Sequence, residues 1–154
     1  MRMGILDRIR SALSPEEKLL GELAELAGRH RELAERLARD AALCGYPAMA
    51  DALRAIAEQE LRHARALDLM LGERHAWAKP ARRPGAAGSN NWQRLSADLA
   101  LLLELLGDMN QLVFRWERVD PAFAARLRAI ELEDDRNLGG LRELVLRCDP
   151  QALD

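Results

Sequence analysis

Glu60 and His63 stand three residues apart in a chain of 154 residues that holds only three histidines. They fill two positions of an otherwise apolar stripe: Met49, Leu53, Ile56, Glu60, His63, Leu67, Met70. A helix with this spacing turns a carboxylate and an imidazole toward the side meant for the core. A later stripe repeats the pattern in the same phase, as Ala124, Leu127, Glu131, Asp134, Leu138, Leu141, Val145. A third, Leu19, Leu23, Leu26, His30, Leu33, Leu37, carries an imidazole at its middle. The fourth apolar run, Leu99–Leu106, is interrupted by Glu104, with Asp108 one turn on as the competing inward carboxylate.

Such a set has a definite chemistry. Buried ionised carboxylates are costly unless paired or metal-bound, and several facing one another raise each other's pKa. No lysine lies on these stripes to neutralise them. Oxygen and imidazole donors suit iron or manganese, so a pair of divalent ions would satisfy the cluster. A chain with three His and 14 Glu produces a Glu-x-x-His by chance with a probability of roughly a quarter, so its place on the stripe carries the weight.

Four helical segments must position these residues. Ser14-Pro15-Glu16-Glu17 is a strong helix start, with a cap, a proline at the first position and dipole-favoured acids. The spacing predicts helices over about 15–43, 47–71, 91–119 and 121–147, with a four-helix domain over 15–148. Residues 1–14 read as a short amphipathic segment over one end of the bundle. Short joints after the first and third helices force antiparallel hairpins. The polar, Pro/Gly-containing stretch 72–90 is long enough to cross the full length of the bundle, although loop lengths alone also permit a simple up-and-down bundle.

Composition agrees with an all-α chain. Leu and Ala supply 29 and 26 residues, Val and Ile together only seven, and Thr is absent. Sheets need the β-branched and aromatic residues that this chain lacks. A net charge of −2 offers no field to gather nucleic acid or an anionic membrane, and no run is apolar enough to span a bilayer. Cys44 and Cys148 make neither a disulfide framework nor a zinc knuckle, and a cytoplasmic location is the default expectation. The stripe methionines read as core filler and His75 as a solvated residue.

Ala57-Glu58-Gln59-Glu60-Leu61-Arg62-His63-Ala64 resembles the second-helix signature of ferritin-like and rubrerythrin-like di-iron proteins, and with the crossover the resemblance covers roughly Pro15 to Cys148. It implies a ferritin-like four-helix bundle in which the first and third helices each give a Glu and the other two each give Glu-x-x-His. Two departures stand out: Asp134 where His is implied, and His30 where Glu is implied. The set His30, Glu60, His63, Glu104, Glu131 and Asp134 keeps four carboxylates and two imidazoles, with one of each exchanged between helices. The resemblance thus implies two ions, iron first and manganese second, and Fe(II) oxidation or the reduction of peroxide. Without a Cys-x-x-Cys centre, electrons would come from a partner protein.

Two other readings stay open: a metal-free helical module that binds a protein, and a haem- or cofactor-binding bundle. The Leu99–Leu106 girdle is apolar on all sides and must be covered on all sides. That predicts a homodimer through the third helix.

Overall fold

In the computed structural model, which describes residues 14–77, 79–80 and 88–151, the chain forms four helices: α1 (Pro15–Leu43), α2 (Pro47–Glu73), α3 (Asn91–Trp116) and α4 (Pro121–Leu146). Residues 1–13 of the expected N-terminal segment lie outside the described residues, as do residues 78 and 81–87 of the crossover.

Local chemistry sets the boundaries. Ser14 caps α1 through a reciprocal box with Glu17, and Asn90 and Asp120 accept from the backbone N–H groups of Gln93 and Phe123. Pro47 starts α2 where no side chain caps it. α2 runs through Gly72 to Glu73. The left-handed residue that turns the chain away is His75, at φ 56°, rather than the glycine. α3 stops at Trp116, three residues short of the expected Val119, because Val119 and Asp120 fold back to donate to the Trp116 carbonyl.

The bundle is ferritin-like in topology. α1 packs on α2 and α3, and α4 packs on α3 and α2, leaving α1/α4 and α2/α3 as the diagonals. Arg74, at the end of α2, pairs with Glu16 at the start of α1 and Asp120 at the start of α4, so those termini share one end. At the other end Asn90 donates to the Pro150 carbonyl, and Cys148 Sγ lies 3.9 Å from Met49 Sδ. The start of α3 is therefore opposite the end of α2, and the connection crosses the bundle's length. On the way Lys79 donates its backbone N–H to Ala24 at 3.2 Å. A Cβ on Gly28 would stand 3.0 Å from the Lys79 carbonyl oxygen, so the missing side chain is what lets the crossover lie flat on α1.

The core is divided. One cluster gathers Leu23, Leu26, Leu67, Met70, Met109, Trp116, Phe123 and Leu127; the other gathers Leu33, Leu37, Leu53, Leu95, Leu102, Leu138 and Leu141. The polar residues of the stripes fall between the two. No helix among the described residues is long and apolar enough to cross a membrane.

Candidate metal centre

Four side chains meet in that gap: His30 from α1, Glu60 and His63 from α2, and Asp134 from α4. One donor atom from each lies within 4.8 Å of the others. His30, Glu60 and Asp134 have fully buried side chains and His63 is 4% exposed. Each sits at the middle of its helix's apolar stripe, so the burial of Leu26/Leu33, Ile56/Leu67 and Leu127/Leu138 on either side carries it inward.

The contacts are specific. His30 Nδ1 lies 2.8 Å from Glu60 Oε2, and its Nε2 is 3.7 Å from Asp134 Oδ2. His63 Nδ1 is 2.7 Å from Asp134 Oδ1 and 4.0 Å from Glu60 Oε2. The two rings meet edge-on, 5.6 Å between centroids. Asn137 donates to the second oxygen of Glu60 at 2.8 Å. His30 Nε2, His63 Nδ1 and both Asp134 oxygens are buried without an aligned hydrogen bond. Buried polar atoms of native proteins are normally satisfied, so four such atoms gathered within one cluster fit a ligand that accepts their lone pairs.

Electrostatics follows from burial and pairing. Desolvation works to raise Glu60, but the His30 hydrogen bond, the charge of both imidazoles and Asn137 hold its pKa below the ordinary value. Burial dominates at Asp134 and pushes it up, against the opposing pull of His63 and His30. Burial also opposes a charge on His63, yet Asp134, Glu133 and Glu60 raise it to about 8.

Two carboxylates of the sequence-derived set lie elsewhere. Glu104 is 74% exposed and pairs with Arg29 at 3.7 Å, and Asp108, its competitor, is 59% exposed on the same arginine. The inward stripe of α3 is Leu95, Asp98, Leu102, Leu105, Met109, Leu112, Trp116, and Glu104 is off it. Glu131 is on its stripe but at the edge facing α3, where Asn110 donates to it at 2.5 Å and Arg128 at 3.3 Å. The third helix therefore offers the centre only apolar side chains.

A second buried polar pair was missed in the sequence. Asp40 and Asp98, 1% and 0% exposed, face each other across α1 and α3, with Arg36 Nε donating to Asp98 at 2.7 Å. Burial first, then the neighbouring Asp40 carboxyl, push Asp98 up to about 7 despite Arg36. Both extend apolar stripes, Leu33-Leu37-Asp40 and Leu95-Asp98-Leu102, so the same spacing argument would have found them. Cys44 and Cys148 are free thiols.

No family model matches the sequence, and no curated protein matches it. The structure matches an open-pore ferritin from the hyperthermophilic archaeon Archaeoglobus fulgidus with a TM-score of 0.72 and 16% identity, over 87% of this chain and 86% of that one. The match shows the fold, a ferritin-like four-helix bundle.

Proposed function

We propose that this chain is a metal-binding protein of ferritin-like fold whose buried centre holds one divalent transition-metal ion. The observation that carries the reading is the convergence of His30, Glu60, His63 and Asp134, with four of their donor atoms lacking aligned hydrogen bonds. Charge supports one ion over two. A divalent ion cancels the two carboxylates, whereas a second would leave two uncompensated positive charges among buried side chains. Glu104 and Glu131, needed for a second ion, are engaged by Arg29 and by Asn110 with Arg128. Two imidazoles and two carboxylates suit iron, manganese or zinc.

With iron bound, the group would supply redox chemistry toward O₂ or peroxide. This chain's own part is to hold the donors in register, with Asn137 fixing one Glu60 oxygen, and to keep water out with the leucines above and below. Electrons for a reductive reaction would come from a partner.

Anaerobic loading with Fe(II), Mn(II) and Zn(II) in turn, followed by desalting and metal analysis, tests the reading. One ion per chain, lost in Glu60→Ala, is the expected result. Two ions restore a dinuclear site and none removes the reading.

A metal-free reading draws on the 2.8 and 2.7 Å contacts of His30 with Glu60 and His63 with Asp134. Two imidazoliums would neutralise the carboxylates equally well, making the centre a structural polar layer. In that case chelators leave the thermal stability of freshly purified protein unchanged.

A further inference from the structure

His63 uses its second ring nitrogen as well. Nε2 lies 2.8 Å from Glu133 Oε2, a carboxylate on α4 that is 46% exposed and faces away from the buried centre. Gln59, one turn before His63, places its amide nitrogen 3.1 Å from the same Nε2 and also donates to Glu133. Arg62 holds the Gln59 carbonyl oxygen, which keeps the amide's N–H side toward the ring. Two neighbours thus compete to set the ring's proton. Glu133 accepts only, and favours Nε2–H. Gln59 in this orientation donates only, and favours a bare Nε2 with the proton on Nδ1.

The outcome decides what the centre can hold. A metal held by the four donors needs the Nδ1 lone pair, which faces Asp134 and Glu60, and therefore the Nε2–H tautomer. We propose that Glu133 is a positioning residue that selects this tautomer and anchors the His63 ring for metal binding. The inference rests on the metal-binding reading above. It goes beyond that reading by assigning a role to a half-exposed carboxylate that lies off the apolar stripes.

The test uses Zn(II), a diamagnetic probe, with the full chain, Glu133→Ala and Glu133→Gln. Competition against a chelating dye should show Ala weakening Zn(II) binding by about 10- to 100-fold, the range for losing the outer partner of a ligand histidine. Gln retains an oxygen that accepts Nε2–H and should recover part of the loss. Imidazole ¹⁵N spectra of the Zn(II)-loaded wild type should show His63 protonated at Nε2. Wild-type binding with Ala unchanged within twofold overturns the role of Glu133 and leaves the metal reading intact. A bare Nε2 in the loaded wild type overturns it as well. A wild type that binds no Zn(II), Fe(II) or Mn(II) overturns the metal reading and this inference with it.

Discussion

Arg29 holds Glu104 on the outside of the bundle. The guanidinium, only 19% exposed in the α1/α3 seam, sits 3.7 Å from the Glu104 carboxylate and bonds Asp108 with its other amino group. His30, the next residue, is fully buried in the core. Adjacent residues on a helix diverge by about 100°, so one step separates the surface pair from the buried centre.

Metal content should follow that division. Glu104→Ala and Asp108→Ala are expected to keep the wild-type stoichiometry, whereas His30→Ala, Glu60→Ala and Asp134→Ala abolish binding. Metal analysis after loading and desalting checks it. A loss with Glu104→Ala would put the α3 carboxylate back into the centre.

Much of this was legible in the stripes. Heptad spacing on the first, second and fourth helices located His30, Glu60, His63 and Asp134, because each falls in phase on a stripe whose flanking positions, Leu26 and Leu33, Ile56 and Leu67, Leu127 and Leu138, are apolar. The same logic failed at Glu104, where Leu99–Leu106 is apolar all round and gives no phase. Phase came only from packing, which puts Leu102, Leu105 and Met109 inside. Glu131 failed for another reason: its spacing is right, but Asn110, on a different helix, and Arg128, one turn before it, draw it to the α3/α4 groove. Glu133 carried no sequence signal, since its partner lies on a different helix.

Pairing of two chains through α3 remains the proposal for its apolar girdle. Leu103 and Leu132 are 53% and 56% exposed and line one groove between α3 and α4 with Leu106 and Gly107. Arg128 and Asp135 also line it, two helical turns apart. An antiparallel copy turned about a two-fold near Leu132 would bring each Arg128 to the other chain's Asp135, the self-complementarity that an isologous interface needs. Light scattering at micromolar concentration should give a dimer. The double variant Leu103→Glu/Leu132→Glu should give a monomer with unchanged helicity. A monomeric wild type rejects the pairing.

Arg74 is expected to govern stability at the end of the bundle where α1 and α4 begin. It pairs with Glu16 at 2.7 Å and with Asp120, and its guanidinium lies 5.0 Å from the Phe123 ring centroid and 5.7 Å from that of Trp116. Arg74→Ala should cost about 1–3 kcal/mol by losing the charged hydrogen bonds and the stacking together. Arg74→Lys should recover only part, because an ammonium cannot serve both acids and the rings with one planar fork. Urea titrations of the three proteins check this. A loss within about 0.5 kcal/mol for Ala would mean that the tie contributes little.

Asp98 should make stability depend on pH in a direction opposite to most carboxylates. Its folded pKa, raised to about 7 from 3.8 by burial and by Asp40, means that the folded chain keeps a proton the unfolded chain gives up. The contribution is fully present below the unfolded value, shrinks as pH rises from about 4, and is gone once pH passes about 7. Arg36 remains beside the ionised form and softens the loss. Asp98→Asn carries a neutral group of the same shape and has no proton to lose. Relative to wild type its stability should therefore climb between pH 5 and pH 8, by on the order of 1–3 kcal/mol. Carboxylates held below their ordinary values, such as Glu73 and Asp120, titrate below pH 5 in both proteins and cancel in the difference. Denaturant titrations of the two proteins at pH 5, 6, 7 and 8 measure that difference. A flat difference would mean that Asp98 is ionised throughout and that Arg36 alone balances the pair.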